Sequence, residues 1–230
     1  MEIVCEVTFS FIGLQKRAVE KDGEPQQSDS VGEGTILSFP STQNDVKKNC
    51  SPMVHQAALD TVAFRTLDLL RQKRQVLVTA ESCTAGLISA SLARVPGMSA
   101  CLAGSFAVYQ IASKVKWLDI PAEIILKHDV VSAEVAALMA TNALKRTDHA
   151  TVAFSITGHL GPDAPEALDG IAWLGYATRV SGVRSVKLNL SRESVSGPKS
   201  TEPLHIRHER QQVAVLESLG FLCDRLAEMD

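Results

Sequence analysis

From His55 onward the sequence alternates two kinds of segment, and that alternation restricts the fold more than any other feature of the chain. Short runs that are apolar on both faces occupy 75–80, 100–110, 149–157 and 170–179, and read as buried strands. A further element at 183–190 alternates in the manner of a strand with one exposed face. Between them lie stretches with helical spacing. Leu59, Val62, Ala63, Thr66, Leu67 and Leu70 share one face and close at Arg71-Gln72-Lys73-Arg74, where cations suit a helix C-terminus. Helices follow from Leu87 toward Val95-Pro96-Gly97, in short form at 111–117 and 121–127, and from an N-cap at Ser132 to Lys145-Arg146. A last helix at about 204–228 turns Val213, Leu216, Leu219, Cys223 and Leu226 inward. Strands buried on both sides need a helical layer on each face. The prediction is an α/β chain with a layered, mixed sheet, in which the consecutive strands near 170–190 form a hairpin.

Composition divides the chain. Apolar residues are sparse between Lys16 and Lys48, where Glu24-Pro25-Gln26-Gln27-Ser28-Asp29-Ser30 cannot bury enough surface to offset chain entropy. Residues 1–52 therefore read as a poorly ordered N-terminal extension, its apolar opening at 3–14 either an added edge strand or of no structural use, and 53–230 as the folded domain. A net charge of −3 supplies no basic field for nucleic acid, and no Lys/Arg run marks a membrane surface. The N-terminus starts acidic and makes a poor leader, and no stretch reaches the ~20 apolar residues of a membrane span. Five scattered cysteines without metal-type spacing fit a reducing compartment, and the histidines show no paired metal spacing. The expected location is cytoplasmic, with no metal and no cofactor.

Chemistry concentrates after the strands. Glu81-Ser82-Cys83-Thr84-Ala85-Gly86 stands where a buried strand turns into a helix, a place where unpaired N–H groups and the helix dipole favour anions. A nucleophile there has oxyanion donors beside it; equally, Ser82 or Thr84 could simply cap the helix. Cys83 reads as a small apolar group facing the core. Lys114 follows the second strand in a mostly apolar setting, and burial there would lower its pKa enough for a neutral amine to activate a serine. Lys116 is an equal candidate by spacing alone. The run Gly158-His159-Leu160-Gly161-Pro162-Asp163 forms a loop at a strand's carboxyl end, where open α/β sheets bind ligands, or a plain tight turn.

Together Ala80-Glu81-Ser82-Cys83-Thr84-Ala85-Gly86, Gly104-Ser105-Phe106-Ala107-Val108-Tyr109 with Lys114, Val130-Val131-Ser132, Ser155-Ile156-Thr157-Gly158 and Gly161-Pro162-Asp163 resemble the CinA C-terminal domain family, over about residues 56–228. That family includes nicotinamide mononucleotide deamidases. The resemblance implies hydrolysis of the nicotinamide carboxamide of NMN, or of a related small amide, to carboxylate and ammonia by a metal-free Ser/Lys mechanism. It implies Ser82 as nucleophile, Lys114 as base, Tyr109 as an assisting hydroxyl, and backbone N–H groups of Cys83 and Thr84 at the oxyanion. Gly158, Gly161, Asp163, Arg207 and Arg210 are the implied substrate-binding positions. The implied fold is a three-layer α/β/α domain with a mixed, mostly parallel sheet, the implied partner a small molecule of nucleotide type, and the implied assembly a homodimer. The pattern is broken at Ala85, where the family has Gly, at Gln110-Ile111, where it has Ser-Asn, and at Ala164-Pro165-Glu166-Ala167-Leu168-Asp169, where it has a Gly-rich stretch. Pro165 removes a donor, and Glu166 and Asp169 are expected to repel a phosphate, with Arg207 and Arg210 in compensation. An alternative is a diverged, non-catalytic ligand-binding member of the same family.

Overall fold

The computed structural model describes residues 53–180, 182–190 and 203–229. The expected extension at 1–52 and the loop expected at Gly197-Pro198 lie outside the described residues. The strands are β1 (Leu77–Glu81), β2 (Leu102–Ala107), β3 (Val152–Gly158), β4 (Ile171–Thr178) and β5 (Gly182–Asn189). The helices are α1 (Met53–Gln72), α2 (Leu87–Ala93), α3 (Ile111–Leu118), α4 (Ala122–His128), α5 (Ala133–Lys145) and α6 (Pro203–Ala227). They form one sheet in the order β2-β1-β3-β4-β5. β1 pairs in parallel with β2 and β3, while β4 is antiparallel to both its neighbours, so β1, β2, β3 and β5 all run the same way. The hairpin expected near 170–190 is the β4–β5 pair.

Alternation along each strand sends side chains into two separate cores. Leu77 on β1 and Val152, Phe154 and Ile156 on β3 face one layer, packed by Leu59, Ala63, Leu67 and Leu70 of α1, Ile88 and Leu92 of α2, and Leu219 and Leu222 of α6. Val78 and Ala80, Ala153 and Ala177 face the other, against Leu118 of α3, Ile125 of α4, and Val135, Met139 and Ala143 of α5. The second face carries small residues, and α5 consequently lies close to the sheet: Ser155 Oγ donates to Ala136 O at 2.6 Å. Ser132 caps α5, its hydroxyl accepting from the Val135 N–H.

Two boundaries differ from expectation. The strand expected over 100–110 is shorter, because Met98–Ala100 form a 3₁₀ turn and the chain leaves the sheet after the Val108 N–H bonds Glu81 O. β5 does not alternate cleanly. It is an edge strand whose residues are exposed apart from half-buried Ser185 and Leu188, and Ser185 meets α5 through a hydrogen bond to Ala133 O.

Candidate active site

The turn that follows β1 is built by backbone geometry. The Ser82 N–H continues the sheet ladder to Ile156 O at 3.0 Å, and the Ala85 N–H folds back onto Ser82 O. Ala85 (φ 52°) and Gly86 (φ 99°) both lie in the left-handed region, reversing the chain into α2. Gly enters that region without steric cost and Ala does not, so the departure at Ala85 is accommodated with some backbone strain. The N–H groups of Cys83 and Thr84 take part in none of the turn's backbone hydrogen bonds.

Neither Ser82 nor Thr84 caps α2. Its N-cap is Gly86, with no capping side chain of its own, and the donors at this end converge on Glu81. That fully buried carboxylate accepts from the N–H groups of Gly86 (3.0 Å), Ile88 (3.0 Å) and Ser89 (2.9 Å). The hydroxyls of Thr84 (2.8 Å), Ser105 (3.3 Å) and Thr79 (3.4 Å) also donate to it. The helix terminus expected to face an anion beside Ser82 is thus closed by an internal anion, as the dipole favours. Donors for an oxyanion are left to the turn itself. Nothing in the sequence reading pointed to Glu81; its one signal is an acid placed just ahead of a helix whose N-cap is a glycine.

Lys114 and Leu118 are the buried face of α3, one turn apart. The Lys114 ammonium position is fully enclosed, with Nζ 2.8 Å from Ser82 Oγ and donating to Val108 O, also at 2.8 Å. Burial lowers its pKa from 10.5 to about 8. Lys116 is exposed on the same helix, which separates two lysines that spacing could not. Cys83 is buried in the core formed with α1, α2 and α6, and desolvation pushes its thiol up to about 12. It stays protonated and behaves as the small apolar group expected.

These groups line a pocket of about 450 Å³, within the range of small-molecule sites. Its lining comes from Ser82 and Cys83 after β1, from Tyr109, Ile111 and Lys114 after β2, from Val130 and Val131, and from Thr157 through Ala164 at the end of β3 and beyond it. Thr157 is fixed by its hydroxyl bond to Val130 O. Arg207 of α6 reaches across, donating to Gly161 O at 2.8 Å and to the Tyr109 hydroxyl at 2.7 Å. Gln211, one turn further on, donates to Cys83 O and ties α6 to the Ser82 turn.

Two of the expected ligand residues, Thr84 and Arg210, do not present their side chains to the pocket, and only the backbone N–H of Thr84, the group expected at an oxyanion, concerns the site. Thr84 turns its hydroxyl to Glu81. Arg210 is buried and forks onto both carboxylate oxygens of Asp169, at 2.6 and 2.7 Å. That pair removes Arg210 as an anion-binding group and Asp169 as a repelling one, since each neutralises the other. His159 and Gln211 were not named among the expected site residues; His159 lies in the loop read above as a ligand loop or tight turn, and no residue type or spacing marks Gln211.

The pocket sits outside the carboxyl ends of β1, β2 and β3. The connection leaving β1 runs to the α2 face and that leaving β2 to the α3 face, the topological divergence at which open α/β sheets bind ligands. Comparison with known proteins agrees with this architecture. A CinA-like protein of Parasynechococcus marenigrum is 37% identical over 204 residues, 86% of this chain and 44% of that protein. One from Cytophaga hutchinsonii is 37% identical over 134 residues, 57% of this chain and 32% of that protein. The chain thus spans less than half the length of these relatives. The crystal structure of the competence/damage inducible protein CihA from Agrobacterium tumefaciens superposes with a TM-score of 0.65 at 26% identity, covering 74% of this chain and 96% of that one. A CinA superfamily protein from Klebsiella pneumoniae shares the fold, with a TM-score of 0.65 at 22% identity over 74% of this chain and 99% of that one. The family profile of the CinA C-terminal domain matches residues 59–218, and the chain belongs to that family.

Proposed function

We propose that this chain is an amidase that hydrolyses the carboxamide of nicotinamide mononucleotide, or of a related small amide, to carboxylate and ammonia. The observation that carries the reading is the enclosed amine of Lys114, 2.8 Å from Ser82 Oγ on the wall of a ligand-sized pocket. With a pKa near 8, an appreciable share of this lysine is neutral at physiological pH and can accept a proton. The Ser82 hydroxyl gives its proton to Lys114 Nζ as Oγ bonds the carboxamide carbon. The resulting oxyanion faces the N–H groups of Cys83 and Thr84. Lys114 returns the proton to the departing nitrogen, ammonia leaves, and water cleaves the acyl-serine with the same amine as base. Val108 O, which accepts from Nζ, keeps the amine aimed at Ser82.

For a nucleotide substrate, the guanidinium of Arg207, which lines the pocket, is a cation available for a phosphate. It has donors beyond the two engaged with Gly161 and Tyr109. Ammonia release from NMN, nicotinamide and glutamine by the pure protein tests the reading. The expected result is turnover of NMN that Ser82→Ala abolishes with little change in melting temperature, and Cys83→Ser leaves largely intact. Ammonia release by Ser82→Ala at the wild-type rate, or none from any carboxamide by the wild type, would reject it.

A further inference from the structure

The buried acid of this site has no cation partner among the described ion pairs, and the chemistry proposed above does not use it. Glu81 carries its charge at zero exposure, where an uncompensated carboxylate is costly. Its compensation consists entirely of dipoles: three backbone N–H groups from the start of α2 and three hydroxyls, Thr84 of the turn, Ser105 of β2 and Thr79 of β1. The backbone donors cannot rotate to become acceptors, so this nest is complementary to the carboxylate and not to its amide isostere. Ser82 is the next residue, and the segment that the six contacts brace is the one whose left-handed residues aim its Oγ at Lys114.

We propose that Glu81 is a positioning residue for the nucleophile, an internal anion that holds the strand-to-helix turn in the geometry that keeps Ser82 Oγ within reach of Lys114 and leaves the Cys83 and Thr84 N–H groups to the oxyanion. By occupying the helix terminus it also assigns the oxyanion to the turn and not to the helix. This rests on the Ser82–Lys114 reading, but it concerns the reactivity of Ser82 and not the identity of the substrate. A misplacement of about 1 Å at a reacting group costs about a hundredfold in rate, so losing the nest should be visible without unfolding.

The experiment measures the rate at which a small fluorophosphonate labels Ser82, followed by the mass of the intact chain. In that reaction the Oγ–P bond forms, fluoride leaves and the serine proton passes to Lys114, so no natural substrate is needed. Glu81→Gln replaces one carboxylate oxygen by N–H₂, which then meets three donors, at least one of them a backbone N–H that cannot turn to accept from it, and should be labelled ten times or more slowly than wild type. On an amide substrate its kcat should fall in parallel, with KM within about twofold. Glu81→Asp, which keeps the charge on a shorter stem, should recover part of the rate. If Glu81→Gln does not fold, Thr84→Val decides. It removes one hydroxyl donor and keeps all backbone donors, and should slow labelling several-fold at a near-wild-type melting temperature. Wild-type labelling rates in the folded variants overturn the proposal, as does a wild type that the probe never labels at Ser82. A wild type that is labelled, with Glu81→Gln slow, yet hydrolyses no carboxamide rejects the amidase reading alone and upholds the positioning role.

Discussion

Lys114 is a cationic side chain where a cation is disfavoured, and its physics predicts a pH signature in both rate and stability. Burial lowers its pKa from 10.5 to about 8, so the neutral fraction, and with it kcat, should climb about tenfold per pH unit below 8 and level off above it. Lys114→Arg cannot supply a neutral amine and should lose about a hundredfold or more in turnover, whereas Lys116→Arg on the exposed side of α3 should be mild. Stability follows the same titration. Between about pH 8 and 10.5 the unfolded chain binds a proton that the folded chain does not, so stability rises with pH across that window and the full penalty is present below it. Lys114→Met removes the titration. Its melting temperature relative to wild type should therefore be highest near pH 6–7 and fall steadily toward pH 10; a constant offset would mean that the lysine is not desolvated. At this scale the sequence alone was only partly legible. The serine and lysine were candidates from their places after buried strands and took roles from the family resemblance, but spacing could not choose Lys114 over Lys116, because the choice depends on which face of α3 meets the sheet. Glu81 was not legible, because an acid at a strand end ordinarily points to water and only the folded turn shows six donors closing on it.

Elements were easier to read, since period and capping chemistry are local. The strands, the α1 face and the Ser132 cap all follow from side-chain pattern, while the short exit of β2 and the exposed β5 depend on neighbours that periodicity does not record. Close packing between elements was the least visible. A Cβ on Gly175 of β4 would fall on Ala136 O of α5 and within 2.5 Å of Ser155 Oγ, and backbone cannot yield as a flexible side chain can. Gly175→Ala should cost about 1–3 kcal/mol or more, the range for overpacking a filled core. Gly220 lies within α6, and a Cβ there meets nothing within 4 Å. Gly220→Ala should instead stabilise by about 0.4–1 kcal/mol, through helix propensity and a less free unfolded chain. Chemical denaturation of the two variants tests the contrast, and a tolerated Gly175→Ala would mean that α5 can shift away from the sheet.

Across the whole molecule, the pocket is assembled from segments far apart in sequence: the turn after β1, the start of α3, the β3–β4 connection and the first turns of α6. Arg207 and Gln211 join α6 to Tyr109, Gly161 and Cys83, and Arg210 fastens the same helix to Asp169. The layered fold was legible from alternation, but this closure was not, since no local pattern says that a C-terminal helix returns to the carboxyl edge of the sheet. Among the described residues, the hydrophobic cores on both faces draw their buried residues from Leu59 onward, and the pocket walls from Ser82 onward. Residues 1–52 are the segment whose composition resists burial. A chain beginning at residue 53 should then fold alone, melt within a few degrees of the full chain, and show the same rate of Ser82 labelling by a fluorophosphonate. Differential scanning calorimetry and labelling kinetics on the two lengths check this together. A truncated chain that melts far lower would place part of 1–52 in the domain's packing. One that melts normally but labels slowly would place part of it at the pocket.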